Sequence, residues 1–153
     1  MTTKEIIELL EQAFDGNPWY GNSVIKNLEK IKDCDPNNSF KEGNSIGQIL
    51  EHMIAWRIFA IERLRGNSEY LVEMNSKDDW NKEGNYSDAD CQRLIDRLKE
   101  TQSELLSLIK KKSGDTWLSE KVPGSKYHFH YLLNGIIQHD IYHVGQIAIL
   151  ARN

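Results

Sequence analysis

The sequence predicts an all-α protein, a four-helix bundle whose first helix is broken. Three observations predict it. Apolar residues recur at helical spacing in four long stretches. Capping residues precede the first three of those stretches and glycines follow them. Alternating runs that would make strands are hard to find.

Taken in order, Thr2 with Glu5 has capping-box spacing, and Ile6, Leu9, Leu10, Ala13 and Phe14 follow at helical period. "DGNPWYGNS", Asp15 to Ser23, breaks this helix with two glycines and a proline. A short helical pattern then uses Val24, Ile25, Leu28 and Ile31. Asp33 to Ser45 is a loop by composition. Ser45 or Asn44 caps a long helix through about Leu64, striped by Ile46, Ile49, Leu50, Met53, Ala60 and Leu64, and Gly66 stops it. Asn67 to Tyr86 is polar, with Trp80 and Tyr86 as aromatic anchors. That is long for a bundle connection, and long ordered loops often cover a site. Ser87 with Asp90 begins the next helix, marked by Cys91, Leu94, Ile95, Leu98, Leu105, Leu108 and Ile109 and ended by Gly114. Lys110 to Lys112 decorate its C-terminal end, where cations oppose the helix dipole. A final helix, apolar almost all round, closes the chain.

Composition bounds the function. A chain of 153 residues without internal repeat or linker suits one domain spanning 1–153. The net charge of -4 and pI of about 5.7, with no basic stripe, argue against nucleic acid as partner. No stretch is long and apolar enough to span a membrane. The N-terminus lacks the basic start and apolar run of a signal peptide. Cys34 and Cys91 form no spaced metal pattern and no disulfide framework. These readings predict a cytoplasmic protein with neither nucleic acid nor membrane as its partner.

The last helix carries the sharpest signal, "IIQHDIYHVGQIAILARN". His139 and His143 are four apart and point the same way, on the face of Leu132, Ile136 and Leu150. Gln146 shares that face, and Gly135 leaves space one turn before His139. Polar groups on an apolar face need partners. His52 in "ILEHMIAWRIF" sits at the edge of another apolar arc, beside Ile49 and Trp56. One histidine from one helix and an i, i+4 pair from another supply three nitrogens for a zinc-like ion, with a fourth position open. The plainer reading is neutral core histidines bonded to Tyr142 or Gln146. His128 and His130, two apart near a helix start, read as surface or capping residues. Asp140, about 100° around the helix from His139, reads as a surface residue or as one that contacts a ligand from outside.

"HDIYHVGQIAIL" resembles the C-terminal metal motif of the DinB-like superfamily, which includes YfiT-type metal-dependent hydrolases. His139, Tyr142, His143, Gly145, Gln146 and Ile147 match it position by position. "SIGQILEHMIAW" looks like the first-histidine segment of that family, and "GNPWYGNSVIKNL" is similar to an N-terminal element of one branch. The resemblance implies an up-down four-helix bundle, a divalent metal on His52, His139 and His143, and a homodimer. It also implies S-transfer or isomerisation with low-molecular-weight thiols, or hydrolysis. Zinc and nickel are the expected metals, although three imidazoles also suit iron or copper.

The leading expectation is therefore a metal-dependent thiol S-transferase or hydrolase acting on a small-molecule substrate. Gln146, Gln48, Tyr142 and Trp56 are candidates for contacts to the ligands or substrate, and no acidic residue is placed well enough to name as a general base. The alternatives are a non-catalytic metal- or ligand-binding bundle, such as a sensor or a stress-related module, and a metal-free bundle that has lost the chemistry.

Overall fold

Helices begin where a side chain takes over the free N–H groups of the first turn. In the computed structural model, which describes residues 1–152, α1 (Thr3–Phe14) opens with a reciprocal Thr2–Glu5 capping box. The same device, Ser45 with Gln48, starts α3 (Ile46–Leu64), and Ser87 with Asp90 starts α4 (Asp88–Lys110). Ser23 caps the short α2 (Val24–Glu29). α5 (Phe129–Leu150) begins at His128 without a side-chain cap. Its first turn is held instead by the Phe129 N–H on the Glu120 carbonyl, beside a single bridge between Lys121 and His128. The ring of His128 makes no capping bond, and its Nδ1 is covered with no partner among the described residues, which corrects the capping expectation for that residue. His130 is exposed, as expected. Among the described residues there is no β-strand.

α1 packs on α4 and α5, and α3 packs on the other sides of the same two helices. The four therefore close a ring in which α1 lies diagonal to α3. The break after Phe14 has a structural consequence. α1 covers one end of α5 and α2 covers the other, so together they do the work of one long helix.

The core comes in two apolar clusters. One holds Leu10, Ala60, Leu105 and Ile137. The other holds Phe14, Met53, Leu98 and Val144. A polar layer separates them. Arg57 of α3 donates to both carboxylate oxygens of Asp140 on α5, the shortest contact being 2.7 Å, and to Thr101 Oγ1 and Gln102 Oε1 on α4. Gln102 Nε2 continues to the Leu10 carbonyl of α1. Arg57 also lies over the Phe14 ring. Asp140 is thus a buried core ion pair, 2% exposed, and not a surface residue. The reason is its register: it shares the face of Leu133, Ile137 and Val144, which points into the bundle.

Candidate metal centre

Adjacent packing of α3 and α5 brings three imidazoles to one place. His52 comes from the middle of α3, and His139 and His143 stand one turn apart on α5. One ring nitrogen from each lies within 4.8 Å of the others. His52 Nε2 and His139 Nε2 are 2.9 Å apart. His52 and His143 are buried, and His139 is half-buried.

The remaining ring nitrogens are held from outside the cluster. His52 Nδ1 lies 2.9 Å from Asp79 Oδ1 and 3.0 Å from the Asp79 carbonyl. A carbonyl only accepts, so Nδ1 carries the proton, and the neutral ring keeps its Nε2 lone pair toward the cluster. Asp79 is itself fixed: Trp56 Nε1 donates to Oδ1 at 2.8 Å and the Asn75 backbone N–H to Oδ2 at 2.7 Å. The next residue, Trp80, stacks flat on His52, with ring centroids 3.7 Å apart. On α5, His143 Nδ1 donates to Gln146 Oε1 at 2.7 Å, which turns its Nε2 inward. His139 Nδ1 is covered, with no hydrogen-bond partner among the described residues.

Burial pushes all three imidazoles toward the neutral form. For His139 the pKa falls to about 3, first by burial and then by repulsion from His143 and His52. Burial also lowers His52 and His143, against contacts with Asp79 and Gln146 that pull the other way. Neutral imidazole is the metal-binding form. Two Nε2 atoms at 2.9 Å cannot both carry protons; a shared proton or a cation satisfies them. The nitrogen donors, their tautomers and their outer partners therefore fit a divalent metal ion.

A cavity of about 780 Å³ opens onto this cluster, and all three histidines line it. Among the described residues no fourth histidine, cysteine or carboxylate joins the group. Asp79 engages the far nitrogen of His52 and so stands one bond outside.

Trp56 and Tyr142 line the cavity, Trp56 gripping Asp79 and Tyr142 standing edge-on to His143 with centroids 4.9 Å apart. Gln146 lines it too, its amide oxygen taken by His143. Gln48 does not reach it. Its Oε1 closes the Ser45 capping box and its Nε2 donates to the Asn81 carbonyl at 2.8 Å, so both polar ends serve structure. Asp79 is the residue that sequence reasoning missed. The only available signal was "DDW", two acids before an aromatic anchor, in a loop with no periodicity to say which acid turns inward.

A family model described as the DinB superfamily matches residues 28–147 of the chain. No curated protein and no solved structure matches it.

Proposed function

The chain belongs to the DinB superfamily, and from that premise we propose that it is a divalent-metal-dependent enzyme acting on a small molecule. The reaction is transfer to or from a low-molecular-weight thiol, or hydrolysis. One observation carries the reading: two of three converging imidazoles are locked by outer partners in the tautomer that offers Nε2, and the cluster faces an open cavity. A buried set with a fourth protein ligand would favour a structural site; three donors beside a cavity favour a catalytic one.

His52, His139 and His143 would hold the ion. When bound, zinc or nickel supplies a Lewis acid that acidifies water or a thiol at neutral pH. Asp79 accepts the His52 Nδ1 proton, and because Trp56 and Asn75 occupy the same carboxylate, it orients the ring instead of moving protons. Gln146 performs the same service for His143 and keeps its amide N–H groups for a substrate. Trp80 covers the outer face of His52 and limits access of water to that side.

The test is elemental analysis of protein purified without an affinity tag, followed by thermal unfolding before and after chelation. A metal at a hundredfold excess over Kd adds about 2.7 kcal/mol, so chelation lowers Tm and zinc or nickel restores it. His139→Ala removes metal and turnover of thiol substrates together. Full metal occupancy in His139→Ala would place the site elsewhere, and metal binding without turnover of any thiol or hydrolysable substrate would leave the binding-module reading.

A further inference from the structure

The mouth of the cavity is lined by apolar side chains that the fold leaves in the open. Phe40, Met74, Tyr142 and Ile149 are 65%, 76%, 65% and 67% exposed, and all four line the same cavity. Such side chains are usually scattered; gathered around one concavity they mark a binding site. They come from three separate segments: the loop before α3, the loop after it, and α5. Beneath them the walls continue through Ile49 and Trp80.

The charge on these walls is as informative. Among the described residues lining the cavity there is no lysine, arginine or glutamate. The one carboxylate, on Asp79, has its oxygens taken by His52, Trp56 and Asn75. Lys41 and Lys82 stand nearby without lining it: Lys41 lies over Phe40, and Lys82 lies over Trp80 and donates to Asn44 Oδ1. A ligand carboxylate seated here loses water and gains no counter-charge from the walls, and a ligand cation meets only the Asp79 carboxylate, whose oxygens are already engaged. The volume of about 780 Å³ is within the roughly 300–1,000 Å³ of small-molecule sites.

We propose that this cavity selects an uncharged, predominantly apolar substrate, an aromatic or branched aliphatic body lying on Phe40, Met74 and Ile149 with its reactive end toward the histidines. The proposal rests on the reading of the cavity as the substrate site of the metal centre. It concerns the walls, so it is tested on protein stripped of metal, where a carboxylate has no ion to coordinate.

Three probes of one shape serve: naphthalene-2-carboxamide, naphthalene-2-carboxylate and 2-naphthylmethylammonium, titrated by calorimetry with the cavity residues followed by NMR. The carboxamide should bind at least about tenfold more tightly than either ion, a difference of about 1.4 kcal/mol. Ile149→Lys, on an exposed position that the fold tolerates, should bring the carboxylate level with the amide or above it. A carboxylate preference in the unmodified protein would put recognition on Lys41 and Lys82 and overturn the proposal. So would the absence of binding by any probe, or probe shifts away from Met74, Trp80 and Ile149. Dimerisation that buries Ile149 and expels the amide would assign the apolar rim to a second copy and also overturn it. Zinc binding is measured on the same preparation. Amide preference without zinc binding fails the metal reading alone, and zinc binding without amide preference fails this proposal alone.

Discussion

A single proton decides what His52 can do. With Nδ1 committed to both oxygens that Asp79 presents, Nε2 faces the other two histidines as a lone pair. Asp79→Asn keeps the size of the side chain but weakens the acceptor, and its amide can turn a donor toward Nδ1. Loss of such outer partners typically costs about 10–100-fold in metal affinity or activity. Asp79→Asn is therefore expected to weaken zinc binding by that order in a chelator competition assay, with little change in helical content by circular dichroism. Gln146→Ala should do the same through His143, because the amide oxygen holds Nδ1. Unchanged zinc affinity in both variants would show that the rings are oriented by packing alone. The histidines themselves were legible in the sequence because a helix converts spacing into direction: four residues apart means the same face. Asp79 was not, because a loop offers no such conversion. Its position is set by Trp80 stacking on His52 and by the Asn75 turn, contacts between segments that no local pattern encodes.

The element that completes the site is the connection between α3 and α4. It carries Asp79 and Trp80, and Tyr86 fastens its far end. The Tyr86 ring lies directly on Gly47 in the first turn of α3, where an added Cβ would come within 2.3 Å of it. Its hydroxyl donates to Glu51 Oε2 at 2.6 Å, and Asn37 exchanges hydrogen bonds with its backbone. Gly47 suits the first turn of a helix poorly on propensity grounds, so close approach, not flexibility, explains it. Gly47→Ala is expected to displace Tyr86 and destabilise the fold by about 1–3 kcal/mol, as overpacking does. Since the same connection carries Asp79, zinc affinity should fall with it, although Gly47 touches none of the three histidines. A variant with normal zinc affinity and lowered Tm would show that the Asp79 end of the loop holds itself. At this scale the helices were readable: three of them start at capping boxes whose residues stand plainly in the sequence. The start of α5 was not, since it is stabilised by the Glu120 carbonyl and has no cap of its own.

Across the whole molecule, the Arg57–Asp140 layer ties four helices at one level between two apolar clusters. Arg57 stands on the apolar stripe of α3 between Met53 and Ala60, a position that the reading of the sequence passed over; a buried cation there needs an anion opposite, and nothing local in the sequence says which helix supplies it. Removing one partner strands the other charge, so Asp140→Leu is expected to cost about 3–5 kcal/mol in urea unfolding, while the double variant Arg57→Met/Asp140→Leu should recover most of it. A double variant as unstable as the single would mean that the Thr101 and Gln102 contacts, and not the uncompensated charge, carry the cost.

Acid stability tests the site and the fold together. In the metal-free protein the folded pKa of His139 lies at about 3, below its ordinary value of 6.5, chiefly because the ring is buried. His52 and His143 are displaced in the same direction. As pH falls below about 6.5 the unfolded chain takes up protons that the folded chain refuses, so stability is full above that pH and is lost on the way down toward about 3. Asp140 opposes this, since burial raises its pKa against the pull of Arg57 and its contribution improves with acid. Three histidines are displaced in one direction and one carboxyl in the other, so a net slope positive with pH is expected between pH 6.5 and 4.5. The expected result is that unfolding of metal-free protein near pH 5 takes up protons, with stability lower at pH 5 than at pH 7. His139→Gln should reduce that uptake, because it removes the most strongly displaced of the three groups. If stability were flat from pH 7 to pH 5 and His139→Gln left proton uptake unchanged, the imidazoles would have to accept protons inside the fold, and a cluster that tolerates charge so readily would be a poor place to hold a metal cation.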